Sequence, residues 1–306
     1  MLQRSRMLSG LPLLAALVAG WALARPLRAA GGAPAPRVAH RVVSLDPSLS
    51  AILVALGARD ALVGVDDFSA HSLPALQGLP TVGGLANPSL EALLALRPDL
   101  VVLVPSAEQR GFRDRLASLG VPRLELDPVS FEDVLASILR LGDRVGREAE
   151  ARRRVGAIRR ARARVAQAVS GRGQPSVVLV LQRDPLFIVG RGSFVDDMLR
   201  AVGARNLGAR LSEPYPQVSR EWLIAAAPQV LLDAARDPAP AARYWSRWSS
   251  LPAVRSGRVE SLPERVVTLP GPELDRALWL LARAIHGSDL GRPAPAHPQR
   301  RAAPPP

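Results

Sequence analysis

The sequence predicts an α/β protein of two similar lobes, each a parallel-rich sheet flanked by helices. One long backbone helix joins the lobes and leaves a cleft between them. Three observations lead there. At 306 residues the chain exceeds one ordinary hydrophobic core and fits two lobes of about 100–150 residues each. The segment SLEALLALRPDLVVL at 89–103 returns as SREWLIAAAPQVLLD at 219–233, a shift of 130. Between the copies, residues 129–170 hold helical spacing without a single proline.

Each copy of the repeat reads as one physical unit. A serine caps a short amphipathic helix, a proline stops it, and a buried strand follows. Ser89 meets Ser219, Glu91 meets Glu221 and Pro98 meets Pro228. A second pair, LVALGARD at 53–60 and LRAVGARN at 199–206, places Gly57 and Gly203 where a left-handed helix C-cap falls.

The first lobe reads as strand 41–45, a loop at 46–47, helix 48–56, strand 61–65, a loop from 66 to 88, helix 89–96 and strand 100–104. The second opens with strand 176–182 and repeats the theme to Ala234. Strands that alternate with helices pair in parallel, and ligands of such sheets bind outside the strands' carboxyl ends. In the connecting stretch Ile138, Leu141, Val145, Ala149, Val155, Ile158, Val165 and Val169 recur at threes and fours. The expected organisation is a signal peptide at 1–24, a linker at 25–37, an N-terminal lobe at 38–140, a backbone helix at 141–172, a C-terminal lobe at 173–287 and a Pro-rich tail at 288–306.

Arg4 and Arg6 ahead of an apolar run and the small residues Ala22 to Ala24 have the form of a secretory leader, cleaved after Ala24 or near Ala30. The run is also marginally long enough to anchor the chain in a membrane. With no cysteine there is no disulfide framework, thiolate metal site or lipid-bearing cysteine, so the expectation is a soluble periplasmic monomer.

The net charge of +13 is unevenly placed. Six arginines precede residue 42, and residues 140–172 carry eleven arginines against three acids. With the three arginines of the tail removed as well, the remainder is slightly acidic. A nucleic-acid binder is not expected from this distribution. Arginines on the solvated face of one long helix explain it, with an anionic partner or membrane as the rival account.

The runs RVVSLDPSLSAILVALGARDALVGVDDF and LPTVGGLANPSLEALLALRPDLVVLV resemble the helical-backbone (class III) periplasmic substrate-binding proteins of ABC importers. DPLFIVGRGSFVDDMLRAVGARN, PYPQVSREWL and LPAVRSGRV continue the likeness in the same order, over residues 38–286. Within this cobalamin and iron-siderophore family, DPLF and PYPQVSRE are most similar to the cobalamin-binding branch. The resemblance implies capture of cobalamin, or alternatively of a ferric siderophore or haem, and delivery to an ABC membrane permease. A sensor or scavenger of the same fold is the remaining alternative. No resident cofactor is implied.

The resemblance also implies roles for single residues. Glu91 and Glu221 match the acids that pair with permease arginines, although an acid in a first helical turn also favours the helix dipole by about 0.3–1 kcal/mol. Phe68, Phe187 and Tyr215 match aromatic cleft positions, and aromatic faces suit a flat macrocycle. Leu85, Pro105 and Leu181 stand where cobalamin binders often carry further aromatics, and Arg265 lies near a polar contact in the last loop. Arg183, Arg191 and Arg265 could meet carboxylates, since guanidinium forks bind them in bidentate fashion. His71 is a weak candidate axial ligand to haem iron or corrinoid cobalt.

An enzyme is not expected. Gly190-Arg191-Gly192-Ser193 lacks the lysine of a phosphate cradle, and Asp66-Asp67 and Asp196-Asp197 are sequence neighbours whose side chains need not converge.

Overall fold

The structure is a computed structural model that describes residues 38–106, 110–237, 239–288 and 290. The expected leader, the linker and the tail beyond 290 lie outside the described residues.

The first lobe runs β1 (Val42–Ser44), α1 (Pro47–Ala55), β2 (Leu62–Val65), α2 (Asp67–Ser72), α3 (Leu90–Ala95), β3 (Leu100–Leu103), α4 (Arg110–Ser118) and β4 (Arg123–Glu125). Its four strands lie in the order β2-β1-β3-β4, all parallel. Two helices follow, α5 (Phe131–Arg144) and α6 (Glu148–Val169).

The second lobe runs β5 (Ser176–Arg183), β6 (Leu186–Ile188), α7 (Phe194–Ala201), β7 (Arg205–Asn206), α8 (Arg220–Ala226), β8 (Val230–Asp233), α9 (Ala241–Trp245), α10 (Pro252–Arg255), β9 (Val259–Ser261), α11 (Glu264–Thr268) and α12 (Leu274–His286). Its strands lie in the order β6-β5-β8-β9, with β7 beside β5; only β6 is antiparallel. Strands buried on both faces explain the near-continuous apolar runs at β3, β5 and β8.

The repeat is a structural identity. Ser89 accepts from the Ala92 amide at 3.2 Å, and Ser219 from the Trp222 amide at 3.1 Å. From 91 to 97 and from 221 to 227, burial follows one and the same order, residue for residue. Arg97 and Ala227, related by the same 130-residue shift, are the only non-glycine residues with positive φ among those described. Each turns the chain just before its proline. Gly57 and Gly203 have φ of +72° and +69°, and each closes its helix with paired 6→1 and 5→2 amide bonds to the preceding turn.

Three expectations change. The segment 66–88 is not all loop, because Asp66 accepts from the Ser69 amide and starts α2. The connecting stretch holds the expected long helix as α6, but it starts at Glu148 and not at 141, since Gly146 (φ +65°) ends the separate helix α5 and Arg147 donates back to Gly142. The helical register therefore restarts at Glu148, which turns Ala149 outward and buries Ala151 in its place. A side chain at Gly142 would meet the Ala151 Cβ at 2.5 Å, so glycine is what lets this corner close. α6 then buries Ala151, Val155, Ile158, Ala161, Val165 and Val169 against α5 and α12. The largest apolar cluster thus takes in residues of both lobes.

Candidate functional site

A helix that leads into a parallel strand starts at the edge where those strands end. α3 precedes β3 and α8 precedes β8, so Ser89, Glu91, Ser219 and Glu221 all stand at carboxyl edges of the sheets. The loops after the strands collect at the same edges.

In the first lobe that edge rests on a buried polar network. Asp46 caps α1 by accepting from the Ser48 amide at 2.8 Å, and Asp66 caps α2 by accepting from the Ser69 amide at 2.8 Å. Ser69 Oγ donates to Asp66 and lies 3.0 Å from Ser50 Oγ, which donates to Ser44 Oγ at 2.8 Å. Burial raises both carboxyls above the ordinary aspartate value against the pull of these hydrogen bonds, and the charge on Asp46 adds to the rise at Asp66. The network fixes the start of α2, and Phe68 on α2 is exposed.

In the second lobe the corresponding support is glycine. A Cβ on Gly190 would stand 2.0 Å from the Glu213 carbonyl and 2.6 Å from Pro216 Cδ. That close approach lets the Gly190 amide donate to Pro214 at 2.8 Å and the Ile188 amide to Pro216 at 3.2 Å. The loop so held presents Tyr215. Burial of its phenol pushes the pKa up to about 12 against the effect of the Ser193 hydroxyl bonded to it, while the ring stays substantially open.

Phe68 and Tyr215, 44% and 43% exposed, are the most open of the Phe, Tyr and Trp side chains among those described. Leu85 is exposed as well, and Leu85 and Tyr215 are repeat equivalents, each four residues ahead of its capping serine. Phe187 is half-buried on β6 and bridges to Gln217, beside the Tyr215 loop. Pro105 is half-buried, and its neighbours 107–109 lie outside the described residues.

Other candidates are engaged within the protein. Leu181 packs against the main apolar cluster. Arg183 is neither solvated nor open to a ligand: it is buried, bonds Asp233 at 3.0 Å and the Ala239 carbonyl at 2.8 Å, and stacks on Tyr244. Arg265 donates to the Ser72 carbonyl and so ties α11 of one lobe to the end of α2 in the other. Arg191 donates to the Ala209 carbonyl at 2.8 Å. His71 Nδ1 lies 2.6 Å from the Asp67 carbonyl and donates to it, which leaves the lone pair on Nε2. Asp196 turns to Asn206 at 2.9 Å, whereas Asp197 accepts from the Phe131 amide at 2.9 Å. Among the described residues no group of three or more His, Asp or Glu side chains could hold a bare metal ion.

Glu91 and Glu221 are both exposed in the first turns of their helices. The Glu221 carboxylate is held below its usual range by its own backbone amide and by Ser219.

The model of the periplasmic binding protein family matches residues 42–266. The chain belongs to that family. A vitamin B12-binding protein of Salmonella paratyphi A is 28% identical over 218 residues, 71% of this chain and 81% of that one. An uncharacterized ABC transporter substrate-binding lipoprotein of Bacillus subtilis is 28% identical over 254 residues, 80% of each chain. Among solved structures, a periplasmic heme-binding protein from Pseudomonas aeruginosa is 30% identical with a TM-score of 0.67, covering 82% of this chain and 94% of that one. Two lobes of mostly parallel strands joined by helices are this family's architecture, as the repeat had led us to expect.

Proposed function

We propose that this periplasmic binding protein captures cobalamin between its lobes and delivers it to the membrane permease of an ABC importer. The observation that carries the reading is the placement of exposed apolar side chains. Phe68, in the first turn of α2, and Leu85 in one lobe and Tyr215 in the other stand at the carboxyl edges of the two sheets. Exposed rings there bury large area against a flat macrocycle with little loss of rotamer freedom. The relative from Salmonella, whose name states vitamin B12 binding, supports the corrinoid among flat ligands. Half-buried Phe187 next to the Tyr215 loop extends the same apolar wall.

Haem is the second reading, favoured by the 30% identity to the heme-binding protein from Pseudomonas aeruginosa. The free Nε2 of His71, three residues from Phe68 on α2, would then be the candidate iron ligand. The burial of Arg183 removes one of the three cationic candidates for an anionic siderophore, which ranks below both.

Delivery is assigned to Glu91 and Glu221. They share the cleft edge of their lobes, so a partner that engages both would cover the mouth from which ligand must leave. Two carboxylates set apart on one protein give a partner both attraction and register.

The test is calorimetric titration of the purified protein with cyanocobalamin, with haemin and a ferric siderophore as comparators. Submicromolar cobalamin binding that weakens in Phe68→Ala and Tyr215→Ala bears the proposal out. Binding of haemin alone, lost in His71→Ala, transfers the site to the second reading.

A further inference from the structure

We propose that Leu94 and Ile224 form the apolar half of a two-point contact with a two-fold symmetric membrane partner, each seated beside one of the docking glutamates. The inference rests on the docking role given above to Glu91 and Glu221 and adds to it the residues that would hold the complex together once charge has steered it.

Among the exposed large apolar side chains, two pairs obey the 130-residue relation of the repeat. One is Leu85 with Tyr215, already assigned to the ligand. The other is Leu94 with Ile224, 37% and 38% exposed. Each stands three residues after its glutamate, which puts acid and aliphatic side by side on one face of α3 and of α8.

Each helix also borders a surface cavity. One of about 350 Å³ is lined by Pro88, Leu90 and Phe112, and one of about 420 Å³ by Val218, Ser219 and Trp222. Pro88 and Val218 are again repeat equivalents. A duplicated pair of one acid and one aliphatic side chain matches a partner that offers the same basic and apolar groups twice. A dimer of one membrane polypeptide has that form. The two carboxylates call for basic groups on the partner, although Arg220 precedes Glu221 and Arg115 lines the cavity beside α3, and the aliphatics call for apolar groups beside them.

The test places the photo-crosslinker p-benzoylphenylalanine at Leu94 or Ile224 in the full chain within source-cell envelopes, with exposed Leu119 and Leu139 as controls. Both repeat positions should capture the same integral membrane polypeptide, at about ten times the control yield, the factor that 1.4 kcal/mol of contact provides. In a second measurement, Leu94→Ser with Ile224→Ser should lower retention of the labelled protein on envelope vesicles by about the same factor. Capture of two different polypeptides, or control-level capture together with unchanged retention, overturns the inference. If retention falls in Glu91→Arg with Glu221→Arg but not in the serine variant, the glutamate reading stands and the apolar pair falls. If the serine variant loses retention and the arginine variant does not, the glutamate reading falls and the aliphatics carry the contact.

Discussion

Gly190 is where a single methyl group should reach the ligand. Its Cβ position lies 2.0 Å from the Glu213 carbonyl oxygen, and real contacts of this kind do not fall below 3.0 Å. Gly190→Ala must therefore push the 213–216 strap outward by at least about 1 Å, an overpacking change that costs about 1–3 kcal/mol. The shift also strains the amide bonds from Gly190 to Pro214 and from Ile188 to Pro216, each contributing about 1 kcal/mol. If both bonds are lost the total is about 3–5 kcal/mol, which at an unfolding entropy of about 0.5 kcal/mol/K for about 250 folded residues lowers Tm by roughly 6–10 °C. Because Tyr215 rides on the strap, ligand affinity should fall with stability. Gly192, two residues on, is the control: a Cβ there meets nothing within 4 Å, but φ is +83°. Gly192→Ala should cost only the left-handed penalty of about 1–2 kcal/mol and leave affinity unchanged. Differential scanning calorimetry and cyanocobalamin titration of both variants measure the contrast. A Gly190→Ala protein with wild-type Tm and affinity would refute the view that close backbone approach positions Tyr215.

Other expectations concern charge. The Asp66 carboxyl is raised by burial, so its contribution to stability is fully present below the ordinary aspartate pKa and is lost as pH rises through the folded value. Asp66→Asn retains a capping side chain and removes the buried charge; urea midpoints at pH 4 and pH 7 should show the variant gaining on the wild type at the higher pH. Equal gaps at both pH values would contradict this. Arg183→Met leaves Asp233 buried without its cation and should lower stability by about 3–5 kcal/mol, read as a shift in urea midpoint at constant slope. Glu91→Arg with Glu221→Arg should keep cyanocobalamin affinity and abolish its uptake by cells; normal uptake would remove both glutamates from the docking surface.

The frame of the fold was legible because it is written twice. Serine caps, prolines and apolar runs at 89–103 and 219–233 are local signals, and each sits where its element begins or ends. Gly57 and Gly203 were readable for the same reason, since only a glycine takes the left-handed turn there without strain. What escaped reading depends on distance along the chain. The partner of Arg183 lies 50 residues away at Asp233, and the ring stacked on it belongs to Tyr244. Nothing near Arg183 in sequence signals that burial. The six residues of α2 are too few for an apolar period, although Asp66 three places before Ser69 was a capping signal that could have found it. At the site, Phe68 on α2 and Leu85 and Tyr215 on their loops stand exposed, whereas Leu181 and Arg183 point to packing that a strand's carboxyl end alone does not distinguish from a cleft.

Among the described residues the β5–β6 hairpin, with its glycine-held strap, occurs in the second lobe only, whereas α3 and α8 are copies. Substitutions in that hairpin can thus retune what is held without disturbing either of the matched rims. On the proposed reading, in which Tyr215 meets the ligand and α3 and α8 meet the permease, cargo preference and docking in the second lobe are set by separate segments of the chain.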